Sequence, residues 1–212
     1  MKNSRREYYH DLVTEKSWEE LKSLRQLLDF VLIGGWAVYL YTLALKSKDI
    51  DIIIDYDKLP LIGQHYQLSK NDRLHKYEAI KGEVQIDIYL PHMAQIGIPA
   101  EEIIKYVKSV EGFKVVDINL LFALKLFTLN ERGRSPKGRK DLLDILSLFI
   151  SGQCDPAAIN KHIDNFGLGK AANNLKEMLN ESNRAEELGL NPHRFSKIKK
   201  ELLQKIILPS SP

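Results

Sequence analysis

The sequence predicts a mixed α/β domain followed by a helical domain, and three observations carry that expectation. Short apolar runs with strand-like alternation are interleaved with helical stretches as far as Asp117. Two of those runs alternate apolar residues with polar or acidic ones, which suits a strand with one buried face. Beyond Ile118 only helical periodicity remains. The expected units are therefore residues 1–117, a mixed β-sheet with flanking helices, and residues 118–212, a set of helices that closes a cleft. With 212 residues, 44% of them hydrophobic and 28% charged, the chain has material for a sizeable core.

Composition narrows the function classes. No apolar run reaches membrane-spanning length, so no membrane partner is expected. The opening MKNSRREYYHDL has no apolar segment after its charges, which argues against a secretory signal and makes the cytoplasm the expected location. The single cysteine, Cys154, allows neither an internal disulfide nor a cysteine zinc site, and the six histidines fall at no metal-ligand spacing. A net charge of +3 is too small to argue for nucleic acid. Its distribution says more, because residues 125–140 hold six basic residues against Glu131 as the only acid before Asp141.

The most informative stretch is VLIGGWAVYLYTLALKSKDIDIIID, residues 31–55. Val31, Leu32 and Ile33 read as a buried strand that stops at Gly34-Gly35, and residues 36–45 read as an apolar helix ended by Lys46-Ser47-Lys48. A second strand is expected from Asp49, with Asp49 and Asp51 on one face and Ile50 and Ile52 on the other. At a rise of about 3.3 Å per residue the two acids lie about 7 Å apart at the backbone. Like charges that close raise each other's pKa unless a cation sits between them. Hard oxygen ligands suit Mg²⁺, which completes its shell with water and phosphate oxygens. A glycine turn lets backbone N–H groups approach a phosphate, and the helix that follows adds its positive end. Metal and triphosphate would meet at one place.

A third acid follows in GEVQIDIYLP. Val84, Ile86, Ile88 and Leu90 fall on one face and Gln85, Asp87 and Tyr89 on the other. If this strand neighbours the one carrying Asp49 and Asp51, three carboxylates converge.

Other elements are expected as follows. Ser17 with Glu20 makes a capping box that opens a helix carrying Trp18, Leu21, Leu24, Leu27 and Leu28, with a further helical turn in residues 5–14. Pro60 and Gly63 mark a loop, and two weak strands flank Lys70-Asn71-Asp72. Residues 100–112 form a short helix or extended arm, and 113–117 another strand. Residues 118–130 form a helix with Lys125 in its middle, residues 132–140 a loop with Gly133, Pro136 and Gly138, and residues 140–149 a helix on which Asp141 and Asp144 share a face. A lysine inside an apolar helix must reach the surface or face a charged partner. Further helices are expected over 156–166, 170–180 and 192–207, the last amphipathic with solvated lysines outside and a frayed PSSP tail.

Taken in order, Gly34-Gly35, a helix and Ser47-Lys48-Asp49-Ile50-Asp51 resemble the glycine pair and acid-x-acid signature of the DNA polymerase β-like nucleotidyltransferase superfamily. The later stretch NLLFALKLFTLNERGRSPKGRKDLLDIL resembles the abortive-infection, AbiEii-like subgroup, which includes toxins of toxin-antitoxin pairs. The resemblance implies a mixed-sheet nucleotidyltransferase core and metal-dependent transfer of a nucleoside monophosphate from a triphosphate to a hydroxyl. On it, Asp49, Asp51 and Asp87 are the catalytic acids and ligands of Mg²⁺ or Mn²⁺. Gly34, Gly35, Ser47 and Lys48 hold phosphates, Lys125 contacts the nucleotide phosphates, and Lys140 and Asp141 support the triphosphate or orient basic partners. The toxin-like subgroup favours tRNA as acceptor and a cognate antitoxin as partner. The alternatives are an antibiotic or protein hydroxyl as acceptor, or a non-catalytic scaffold that binds RNA or a partner.

Overall fold

The computed structural model describes residues 2–206, with side chains from residue 11 onward. The chain divides into two compact units, the first ending at Val116 and the second beginning at Asp117, with Ile96–Ile98 grouped with the second.

The first unit opens with α1, Lys2–Leu27, a single helix that runs straight through Ser17. The expected capping box is therefore absent. Ser17 is fully buried in mid-helix, where its Oγ accepts a hydrogen bond from Trp36 Nε1 at 2.9 Å. Glu20 turns elsewhere, accepting from Tyr66 Oη at 2.6 Å and Lys81 Nζ at 3.0 Å. The buried stripe of α1 is Val13, Thr14, Ser17, Leu21 and Leu24, continued by Leu28 just past its end, helical in period but polar at two positions. Trp18 and Trp36 meet at 5.0 Å between centroids, and Trp36 and Tyr39 at 5.4 Å edge to face.

After α1 come β1 (Val31–Ile33), α2 (Gly34–Thr42), β2 (Ile50–Ile53) and α3 (Leu59–His65). The loop expected at Pro60 is thus a helix. Pro60 lies in its first turn, where the missing N–H has no partner to lose. Then follow β3 (Gln67–Asn71), β4 (Lys76–Lys81), β5 (Val84–Tyr89), the short α4 (Ala100–Ile103), β6 (Val107–Val110) and β7 (Phe113–Val116). They form one mixed seven-stranded sheet in the order β3-β4-β5-β2-β1-β7-β6. Strand β2 runs antiparallel to β1 and parallel to β5, so the strands expected to carry the acids are neighbours. Ile50 pairs with Ile86 and Ile52 with Ile88, and all four side chains are fully buried.

The second unit is helical: α5 (Ile118–Arg132), α6 (Pro136–Ile150), α7 (Pro156–Asn165), α8 (Gly169–Glu181) and α9 (Pro192–Lys205). Asp117, Ser135, Asp155 and Asn191 each cap a helix through a side-chain oxygen, and Pro136, Pro156 and Pro192 sit at helix starts. The loop expected over residues 132–140 shrinks to 133–135. Pro136 opens α6 instead of breaking it, and Gly138 lets α6 pass so close to the preceding turn that a Cβ there would lie 1.8 Å from the Gly133 oxygen. Phe195 and Leu202 bury the apolar side of α9; the expected extension to Ile207 and the PSSP tail lie outside the described residues. Cys154 is partly buried, and that burial pushes its thiol up to about 12. Among the described residues no helix is long and apolar enough to cross a membrane.

Ser17→Ala leaves the buried Trp36 N–H unpaired and should lower the unfolding free energy by about 1–3 kcal/mol in urea denaturation. An unchanged midpoint and slope would mean that the indole finds another acceptor.

Candidate functional site

The end of β1 and the middle of β2 meet, because antiparallel pairing sets Ile33 opposite Asp51. The next residue, Gly34, has φ +69°, and a Cβ built on it would stand 2.0 Å from Asp51 Oδ2 and 2.5 Å from its Cγ. Only glycine lets the chain turn into α2 in contact with that carboxylate. Gly35 is buried behind it, and α2 begins without a side-chain cap. Its N-cap residue, Ile33, has no side-chain oxygen to give those first-turn N–H groups.

Parallel pairing of β2 with β5 sets Asp51 directly opposite Asp87. Asp49, expected inside the strand, lies in the exposed bend just before it, because β2 begins at Ile50. Ser47 is buried and Lys48 exposed in the same connection. Directly opposed residues on neighbouring strands project to one face, with backbones about 4.8 Å apart. Asp51 and Asp87 are thus adjacent on one face.

The row continues one strand further. Antiparallel pairing of β4 with β5 puts Glu78 opposite Asp87, so Asp51, Asp87 and Glu78 form a line across three strands. Lys76, two residues from Glu78 and on the same face, is buried, and its Nζ lies 2.5 Å from Asp87 Oδ2 and 3.1 Å from Glu78 Oε1. Burial pulls the Lys76 pKa down, but the contacts with Asp87 and Glu78 outweigh it and hold the ammonium above its ordinary value. Gln85 Nε2 donates to Asp87 Oδ1 at 2.9 Å, and Asn71 Nδ2 to Glu78 Oε1 at 2.9 Å. The bonds from Asn71 and Lys76 hold Glu78 below the usual carboxylate range.

Lys76 and Glu78 were not identified as site residues from the sequence, yet a signal existed. Lys81 pairs with Val84 across a turn whose first residue, Gly82, has φ +60°, as a two-residue hairpin turn requires. Counting three residues out from Val84 reaches Asp87, and three back from Lys81 reaches Glu78.

Asp51 and Asp87 offer hard oxygen donors side by side, with Asp49 two residues before Asp51, and this donor chemistry fits a divalent cation such as Mg²⁺. The ammonium of Lys76 already answers part of the charge. Among the described residues, no group of three or more His, Cys, Asp or Glu is placed to hold a metal ion, so the donors here are the pair Asp51 and Asp87.

The remaining candidates belong to the helical unit. Lys125 on α5 is 7% exposed, and its Nζ lies 2.8 Å from Asp144 Oδ2 and 3.2 Å from Asp141 Oδ1, both acids being buried on α6. Arg132 reaches Asp141 at 3.0 Å, and the partly exposed Lys140 reaches Asp144 at 3.5 Å. Arg134 pairs with Glu181, and Arg139 with Glu187 at 2.9 Å. The basic excess in residues 125–140 is thus largely answered by acids from α6, α8 and the segment after α8.

Two stability measurements check these contacts. Gly34→Ala should cost less in an Asp51→Ala background than in the native chain, by about 0.5–3 kcal/mol; equal costs would show that the carboxylate does not lie against the turn. Lys125→Ala removes a buried cation from between two buried acids, leaving the more exposed Arg132 and Lys140 beside them, and should destabilise the protein by about 3–5 kcal/mol in denaturant titration. A cost under about 1 kcal/mol would place the pair in solvent.

No protein-family model matches this chain, and no curated protein matches it in sequence. Solved structures do resemble it. The solution structure of the antibiotic-resistance factor ANT(2'')-Ia superposes with a TM-score of 0.50 at 13% identity, over 81% of this chain and 96% of that one. The crystal structure of JHP933 from Helicobacter pylori gives a TM-score of 0.49 at 16% identity, over 91% and 94%. An antigenic nucleotidyltransferase-like protein from Paracoccidioides brasiliensis gives 0.37 at 14%, over 78% and 91%. The mixed seven-stranded sheet with flanking helices, followed by helices α5–α9, is a nucleotidyltransferase-like fold.

Proposed function

We propose that this chain is a metal-dependent nucleotidyltransferase of the DNA polymerase β-like superfamily, moving a nucleoside monophosphate from a triphosphate to a hydroxyl acceptor. The observation that carries the reading is the pairing of Asp51 with Asp87 in a sheet where Asp51 also lies against the Gly34 turn. Acids and phosphate-binding backbone are then one structure, because the helix start that offers N–H groups abuts a carboxylate of the row.

In this reading Asp49, Asp51 and Asp87 hold Mg²⁺ or Mn²⁺. A divalent ion bound there supplies positive charge for the triphosphate and for the incoming oxygen. Gly34 and Gly35 present backbone N–H groups to the phosphates, with Ser47 and Lys48 beside them in the connection to β2. The acceptor oxygen bonds to the α-phosphorus and the bond to the bridging oxygen breaks. Pyrophosphate leaves with that electron pair, and the acceptor's proton passes to Asp87 or to water. Lys125 and Asp141 enter as the buried pair that fixes α5 against α6, and Lys140 as a partly exposed cation able to support a phosphate.

The finer assignment is to the toxin-like subgroup, with tRNA as acceptor and an antitoxin as partner. Its support is the Lys140-Asp141-x-x-Asp144 run, whose two acids both close on Lys125. The pairing of Arg132, Arg134 and Arg139 with acids weakens the argument for RNA from local basic charge. A specific observation favours the scaffold reading as well: Lys76 already neutralises Asp87 without a metal.

A labelled nucleoside triphosphate with Mg²⁺, offered in parallel to tRNA, protein and aminoglycosides, should label one acceptor class. Asp49→Asn, Asp51→Asn and Asp87→Asn should each lower that turnover by about a hundredfold or more, the scale of losing one preorganised electrostatic element. Full activity in Asp51→Asn would overturn the assignment, and metal-independent RNA binding without nucleotide affinity would establish the scaffold.

A further inference from the structure

One lysine set between two carboxylates occurs in each unit, and the two sites differ in a way that assigns them different work. In the helical unit Lys125 faces Asp141 and Asp144, whose side chains are 2% and 0% exposed. With both acids that deeply buried, the ion pairs hold α5 against α6. In the sheet unit Lys76 is equally buried, with 8% of its side chain exposed, but its partners Asp87 and Glu78 keep 14% and 24%. Both acids can therefore be reached from solvent while the lysine that holds them cannot leave.

We propose that Lys76 is a built-in counter-ion for the acid row, holding Asp87 when no divalent cation is bound and passing to Glu78 when one arrives. The inference rests on the reading of Asp51 and Asp87 as cation ligands.

Four features carry it. Asp51 and Asp87 are opposite one another on adjacent strands, where two carboxylates without a cation repel. The ammonium lies nearer Asp87, at 2.5 Å, than Glu78, at 3.1 Å, so it is engaged with the acid of the pair and already in contact with its alternative. Glu78 is kept in place by Asn71 at 2.9 Å, and Gln85 holds the other oxygen of Asp87 at 2.9 Å. Both carboxylates therefore stay oriented while the lysine changes partner. The move needs rotations of a flexible four-carbon stem and no change in the strand.

The device has a consequence that packing alone does not. A cation entering at Asp87 competes with Lys76, so the native chain binds it more weakly than a chain without the lysine. Glu78 offsets that competition by offering the ammonium somewhere to go. Lys76 and Glu78 are positioning residues in this scheme, acting on the cation site through Asp87.

The test is Mn²⁺ titration by calorimetry on full-length protein without nucleotide, beside melting curves with and without Mn²⁺. The native chain should bind Mn²⁺ and lose that binding in Asp51→Asn. Lys76→Met, which keeps the stem and removes the charge, should bind Mn²⁺ about tenfold more tightly or better. It should also melt lower than the native chain without metal and recover with it. Glu78→Gln should weaken Mn²⁺ binding in the native background and have no effect in Lys76→Met, whereas a direct ligand would weaken it in both. If Lys76→Met does not fold, an unchanged Mn²⁺ affinity in Glu78→Gln alone overturns the proposal. Native binding abolished by Asp51→Asn but not tightened in Lys76→Met overturns the counter-ion while leaving the site intact. Absence of Mn²⁺ binding in the native chain and in Lys76→Met overturns the site reading and this inference together.

Discussion

The structure depends on the register between β2 and β5. Four isoleucines set it: Ile50 faces Ile86 and Ile52 faces Ile88, all fully buried. Each contributes about 1.5–3 kcal/mol by leaving water. A slip of one residue would turn that set to the opposite face and bury the acids between them. The hydrophobic side of the sheet therefore decides where the polar side places its carboxylates. Asp51 and Asp87 stand side by side because isoleucines behind them pack, and no attraction between the two acids is needed or possible.

The same logic extends sideways. Antiparallel pairing with β1 brings Ile33 opposite Asp51, and the chain must turn at Gly34 within contact distance of the carboxylate. The hairpin around Gly82 brings Glu78 opposite Asp87 and delivers Lys76 to both. Three pairings, each fixed by apolar packing or turn geometry, thus place four charged side chains and one helix start around a common line. The charges in turn limit what the strands can do, since a buried ammonium must stay with its acids.

Much of this was legible in residue order. Period-two alternation exposed the strands of Asp51 and Asp87, and the paired glycines marked the turn that abuts them. The proline starts of α7 and α9 were equally plain. The failures share a cause, which is that a polar residue's partner lies far along the chain. Ser17 looks like a cap until Trp36 supplies its donor from nineteen residues away. Lys76 and Glu78 look like surface charges on a weak strand until β5 is laid beside them. The segment between α5 and α6 looks like a loop because its glycines and proline are read as breakers, whereas Pro136 starts a helix and Gly138 permits a close approach. Lys125 was expected to face a charged partner or the surface, and its partners turned out to be the two acids of the neighbouring helix.

The central claim is that the row beginning at Asp51 and Asp87 is where a divalent cation and a triphosphate meet. Anomalous scattering from crystals grown with Mn²⁺ and a non-hydrolysable nucleoside triphosphate tests it directly. The account predicts a manganese peak within bonding distance of carboxylate oxygens of both Asp51 and Asp87, with phosphate oxygens at the Gly34-Gly35 turn. Manganese bound elsewhere, or a triphosphate seated with neither carboxylate near its metal, would contradict it.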